Sequence, residues 1–349
     1  MNRWQAIPRH AVSTDDWEAL VDASSEGWLW HRAAFQEVLT TWPTRNDSSF
    51  GLVGPEGRLA AVVPVHVITR GIGPLRLRRL DSFGGPCRRD DLGRRVNRSV
   101  GAAVVHELRV LADRHQALRV DVTLPPLAPA WRRERGVRVN PMVELGLDDR
   151  SGYTWVADLS GDDGWGAIQD GTRSHIRSAE AAGVRVETAG ETSGLLAYLD
   201  LHQQTYRRTG ATPHPPSYFE GIWRELIPQG RAHALIAHAD GEPVAGITVW
   251  IDKAAAGYWT GASTERGREL HATDLLQWRA MTWAAQAGCT LFDSGEATFV
   301  GRPKDRAISD FKRKFGGRLE PVFRSRIESS SAAMRFAWRA VDAATRSGR

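Results

Sequence analysis

AHALIAHADGEPVAGITVWIDKAAAGYWTGAS, residues 232–263, reads as three successive strands. Runs rich in Ala, Val and Ile cover 232–238, 242–251 and 255–261. The first two are joined by the turn Ala239-Asp240-Gly241-Glu242, an Asp-Gly signal for a tight hairpin. Downstream, a helix is predicted over about 269–287, with Leu275, Leu276, Met281 and Ala284 spaced to share one buried face. A strand at 290–293, a short helix at 306–315 and a last strand at 321–327 follow. Upstream, 153–159 is a strand, and Ser160 is placed to cap a helix running to about Ala182. Gly183 closes that helix, 184–187 is a short strand, and 192–207 and 216–227 are helical.

The first half is also mixed α/β. Helices are predicted at 15–22, 28–41 and 92–115, the last with Val100, Val104, Leu108 and Leu111 on one face. Strands are predicted at 49–54, 59–68 and 118–123, with Pro125-Pro126 ending the third. At 349 residues and 42% hydrophobic content the chain suits two domains, 1–150 and 151–328, with 329–349 as a terminal helix packing back on the first. No apolar run reaches the roughly 18 residues of a membrane span, and the start has no secretory pattern. A soluble cytoplasmic protein is expected. Cys87 and Cys289 lie far apart, which argues against a disulfide framework or a zinc site, and no metal is expected. His31, His202, His214 and His271 are scattered and read as structural or surface residues.

The net charge is +5, carried by only four lysines against 42 arginines. Three of those lysines, Lys304, Lys312 and Lys314, fall within eleven residues. A lysine retained in such a background suggests a place where a compact ammonium does what a planar guanidinium cannot. Positive charge is concentrated in 70–98, with nine arginines against three aspartates, and in 301–326, with nine basic and three acidic side chains. Such stretches fit an RNA backbone or a phosphorylated acceptor.

Three motifs converge on one family. The first is Tyr153 to Ser160, then Thr172-Arg173-Ser174-His175-Ile176-Arg177-Ser178-Ala179 and Ala182-Gly183-Val184. The second is Gly257-Tyr258-Trp259-Thr260-Gly261-Ala262-Ser263 with Phe292-Asp293 after the helix. The third, and most specific, is Phe311-Lys312-Arg313-Lys314-Phe315-Gly316-Gly317. In this order and spacing they resemble the Fem-type aminoacyl-tRNA-dependent peptidyltransferases. The resemblance is good over 150–330 and thin before it, where only Phe83-Gly84-Gly85-Pro86 and Val120-Asp121 look familiar. It implies an α+β fold of two tandem acetyltransferase-like (GNAT-like) domains, the first eroded, with mixed sheets flanked by helices.

The resemblance also implies an activity: transfer of an amino acid from aminoacyl-tRNA, as co-substrate, to an acceptor amine on a cell-wall precursor or natural product, with no resident cofactor. Lys312 matches the family lysine that binds the acceptor and steadies developing charge. Tyr258 resembles a tyrosine facing the acceptor. Arg207 and Arg208 resemble arginines that hold its acidic groups. Phe311 and Lys314 belong to the same signature. Asp121 falls where the family's first domain carries an acidic residue near the cleft, positioned to accept the amine proton. Arg173 and Arg177 read as structural or tRNA-facing. Two other readings remain, a CoA-dependent N-acyltransferase and a non-catalytic RNA- or polysaccharide-associated protein. Against CoA stands the turn Glu265 to Ala272, which keeps one glycine and puts bulky side chains where backbone must approach pyrophosphate. Against the non-catalytic reading stand Lys312 and Asp121, both present.

Overall fold

The computed structural model describes residues 4–72, 75–161, 164–301 and 303–328. The helix expected at 330–345 lies outside the described residues. The described residues divide into two compact units: the first holds those up to Ser151 together with Val322 to Glu328, and the second is Gly152–Pro321.

The first unit contains a four-stranded sheet in the order Gln5–Pro8, Phe50–Val53, Leu59–Val63 and Cys87–Arg88. It also contains a six-stranded sheet in the order Arg45–Asp47, His66–Ile72, Leu75–Phe83, Arg119–Thr123, Arg324–Glu328 and Asp148–Asp149. Pro64 separates the two strands that the sequence presents as one run at 59–68, because proline cannot donate to a continuing ladder. Leu75–Phe83 pairs antiparallel with His66–Ile72 and parallel with Arg119–Thr123. The Arg94–Arg114 helix makes that parallel crossover and buries Val100, Val104, Leu108 and Leu111 on Leu80, Val120 and Val122.

In the second unit a seven-stranded sheet has the order Arg185–Thr188, Ala232–Ala239, Glu242–Asp252, Ala255–Ser263, Leu291–Ala297, Gly152–Asp158 and Arg318–Val322. The central strands are buried on both faces, which is why they read as nearly continuous apolar runs. Tyr198 and Leu201 of the Thr192–Thr209 helix cover one face and press on Gly246. The Ala272–Gln286 helix covers the other with Leu275, Leu276, Ala280, Met281 and Ala284. Full burial of each larger side chain among these contributes about 1.5–3 kcal/mol.

Three expectations need correction. Ser160 caps no helix: its hydroxyl bonds Asp158, and the glycine-rich stretch after it delays the helix to Asp170–Ala181. The helix expected over 269–287 is two, Glu265–Glu269 and Ala272–Gln286, broken where His271 adopts a left-handed conformation at φ 54°. The single strand expected at 321–327 is also two, split at Phe323: Arg318–Val322 ends the second unit's sheet, and Arg324–Glu328 pairs with Arg119–Thr123 in the first.

Candidate active site

The cleft in the second unit begins where two strands part. Ala255–Ser263 and Leu291–Ala297 run parallel but pair only at Ala255 with Leu291, Ala256 with Phe292 and Gly257 with Asp293. A bulge on each strand lies at that point. Thr248 faces Thr260 while Val249 faces Tyr258, so Trp259 is an extra residue, and Gly295 and Asp293 face consecutive residues of Gly152–Asp158, so Ser294 is another. Bulges raise local twist and end pairing, and here they pry the two strands apart. Trp259 is held by its indole N–H donating to Tyr218 Oη at 2.8 Å, and Thr260 by a 2.6 Å bond with Tyr198 Oη.

The opening is a cleft of about 460 Å³ whose lining includes Tyr258, Gly261, Gln277, Phe311, Arg208 and Arg268. The two arginines are the charged members of that lining, and no carboxylate is among the described residues there. Tyr258 Oη lies directly over Gly261. Burial pushes the phenol above its ordinary range, so it stays protonated and can donate a hydrogen bond. Arg208 donates to the Ser263 carbonyl at 3.1 Å.

Lys312 lies beside the second strand. It sits near the end of the Pro303–Arg313 helix, and its Nζ approaches the Glu296 carbonyl at 3.4 Å. A Cβ on Gly295 would come within 2.6 Å of that nitrogen. Gly295 has φ 102° and leaves room for the ammonium that no side chain there would allow. Burial lowers the Lys312 pKa, with nearby Asp293 and Glu296 opposing. Asp293 is buried, accepts from the Thr154 hydroxyl and takes the Gly295 N–H at 2.7 Å.

The turn after Ala255–Ser263 is closed on itself. Thr264 Oγ1 accepts from Gly267 N, and the amides of Arg268, Leu270 and His271 bond the carbonyls of Thr264, Arg266 and Arg268. A Cβ on Gly267 would meet the Val244 carbonyl oxygen at 2.2 Å, so the glycine serves packing. The next helix carries buried Asp274 in its first turn, where a pyrophosphate would need positive potential.

The remaining sequence-predicted residues are distributed as follows. Phe311 lines the cleft and meets Phe315 edge-on. Lys314 pairs with Asp274 at 3.3 Å and lies over the Phe311 ring, so it braces the site from beside it. Arg207 is exposed at the end of the Thr192–Thr209 helix and is absent from the cleft lining. Asp121 is in the first unit, where its carboxylate accepts from Arg119 at 2.8 Å, Arg79 at 3.3 Å and Arg326 at 2.7 Å. Both of its oxygens are thus engaged by arginine side chains of the first unit's sheet. Arg173 pairs with Asp170, and Arg177 lies over Trp165. Both cysteines are buried and stand apart as thiols in different units. The basic stretches are partly neutralised internally, through Arg88 with Glu26, Arg89 with Asp91 and Arg318 with Glu320. Arg76, Arg78, Arg94, Arg95 and Arg98 remain exposed.

His175, His271 and Asp274 bring possible metal-ligand atoms within 4.8 Å of one another. The imidazoles stack 3.8 Å apart at 4°, so their in-plane lone pairs do not converge, and Lys314 already supplies Asp274 with a cation. Sequence reasoning missed Gln277, Asp293 and Arg268 as site residues. Gln277 carries a legible signal, a long polar side chain on the helix stripe shared with Ala280 and Ala284.

Comparison with known proteins agrees with this geometry. Residues 169–313 match the acetyltransferase (GNAT) domain family. A solved structure of FemX superposes with a TM-score of 0.66 at 14% identity, covering 91% of this chain and 96% of that one. A tandem GNAT protein from the clavulanic acid biosynthesis pathway gives 0.57 at 14% identity, covering 94% and 99%. The chain has the tandem GNAT fold. The C-terminal domain of a putative lysylphosphatidylglycerol synthetase from Agrobacterium fabrum has this fold too, with a TM-score of 0.57 at 14% identity over 94% and 96%. No curated protein sequence matches the chain. In the tandem GNAT fold of this chain, the matched domain contains the cleft and every residue described as lining it. No helix among the described residues is long and apolar enough to cross a membrane.

Proposed function

We propose that this protein is an acyltransferase that moves an aminoacyl group from aminoacyl-tRNA to an amine. The single observation that carries the choice of donor is the closed turn at 264–272. The amides of Gly267, Arg268, Leu270 and His271 are engaged within it, and the next helix carries buried Asp274, ion-paired with Lys314, in its first turn instead of a free positive charge. The GNAT domain match and the Fem-type signature around Lys312 support acyl transfer, and likeness to FemX supports the tandem arrangement.

An aminoacyl ester is already activated, so positioning and electrostatics supply the rate. The acceptor nitrogen attacks the ester carbonyl carbon and a C–N bond forms. The C–O bond to the ribose breaks, and the proton lost by nitrogen ends on the released ribose hydroxyl. Tyr258, held protonated, donates to the developing oxyanion, and Lys312, which is not in the cleft lining, supplies positive charge from over Gly295 on the strand beside it. Arg208 and Arg268 draw an anionic part of the substrates to the rim. Exposed Arg76, Arg78, Arg94, Arg95 and Arg98 suit an RNA backbone.

The expected outcome is turnover that disappears on RNase treatment and falls steeply with added salt, through loss of counterion release. Turnover that resists RNase and runs on a purified thioester would replace this reading with a CoA-dependent N-acyltransferase.

A further inference from the structure

Gln277 is 2% exposed, lines the cleft and leaves its Oε1 without a hydrogen-bond partner. Its Nε2 reaches Ser294 Oγ at 3.4 Å, the bulged residue next to Gly295, over which Lys312 lies. A buried carbonyl oxygen with no partner is costly. The cleft is therefore unsatisfied at one defined point, close to the strand on which Lys312 rests.

The charge of the lining says which ligand group fits that point. An anion is served by Arg208 and Arg268 at the rim, and an oxyanion by Tyr258. The lining has no carboxylate among the described residues, and Gln277 Oε1 is the buried side-chain acceptor in it that has no partner and is open to an N–H. We infer that Gln277 is a specificity-determining residue that accepts a hydrogen bond from the α-amino group of the donor's aminoacyl moiety. It thereby selects aminoacyl over plain acyl groups. This rests on the aminoacyl-transfer reading and adds to it the residue that enforces it. A donor without the amine leaves the glutamine oxygen orphaned, and a site built to bond an N–H rejects such analogues strongly.

The test compares two donors on the same tRNA, alanyl and propionyl, in the wild type and in Gln277→Leu and Gln277→Met. Both variants keep the volume and remove the buried polar atom, so near-UV circular dichroism should be unchanged. The wild type should prefer alanyl. The variants should lose about 10- to 100-fold of that preference, through slower alanyl transfer and, with the orphaned oxygen gone, faster propionyl transfer. Gln277→Glu, which keeps an acceptor, should retain it. An unchanged alanyl-to-propionyl ratio in folded Gln277→Leu or Gln277→Met overturns the role of Gln277 alone. Absence of transfer by the wild type from any charged tRNA overturns the donor reading and this inference together.

Discussion

Lys312 is the residue on which the proposed chemistry depends most. Its ammonium occupies a slot made by a glycine at φ 102°, and a guanidinium is too wide for it. Lys312→Arg should therefore lower turnover by about 10²-fold, or ~2.7 kcal/mol, in line with loss of one electrostatic stabiliser. Lys314→Arg should be nearly silent, because arginine can keep the pair with Asp274 and the contact with Phe311. Steady-state kinetics of both variants checks this, and equal activity of Lys312→Arg and the parent would reduce Lys312 to part of a basic surface. At this scale the sequence was informative where a motif had a fixed local geometry. Phe311, Tyr258 and Arg208 do line one cleft, brought together from a helix end, a bulged strand and a second helix end. The surroundings of Asp121 were not legible, because strand pairing sets it against Arg326, 205 residues along the chain, and no local pattern reveals that partner.

Among the elements, the proposed choice of donor rests on the turn linking Ala255–Ser263 to Ala272–Gln286. Gly267 packs on the Val244 carbonyl so closely that an added methyl must displace backbone. Gly267→Ala should cost about 1–3 kcal/mol of stability and open the turn at the cleft rim. Thermal denaturation would register the loss, and a Tm equal to the parent's would contradict the packing role. Most elements were legible because their periods are clean, as in the hairpin at 232–251 and the helix Arg94–Arg114. The strand Leu75–Phe83 escaped notice because its alternating leucines are interleaved with arginines that also make a basic tract. The bulges at Trp259 and Ser294 were not legible either: each is a mismatch of register between strands, and no single strand carries its signature.

At the level of the whole molecule, buried imidazoles tie stability to pH in both units. Burial holds His66 in the first unit and His202 in the second at about 4. His202 lies among Tyr198, Tyr206 and Phe219. Both are depressed from the ordinary value of 6.5, so the unfolded chain binds protons that the fold refuses. Their stabilising contribution is complete above about pH 6.5 and is lost as pH falls from there toward 4. The Tm should fall across that window, and His202→Phe should flatten the decline, while an identical pH profile in the variant would argue against a neutral buried histidine. The two units together make the tandem GNAT arrangement, and the first half's broader outline was readable even where its motifs were thin. The proposed use of aminoacyl-tRNA as acyl donor underlies all of this chemistry. It is tested most directly by offering labelled aminoacyl-tRNAs and labelled acetyl-CoA side by side, with one panel of acceptor amines. Label should pass to an amine from aminoacyl-tRNA only; transfer from acetyl-CoA, with none from aminoacyl-tRNA, would contradict it.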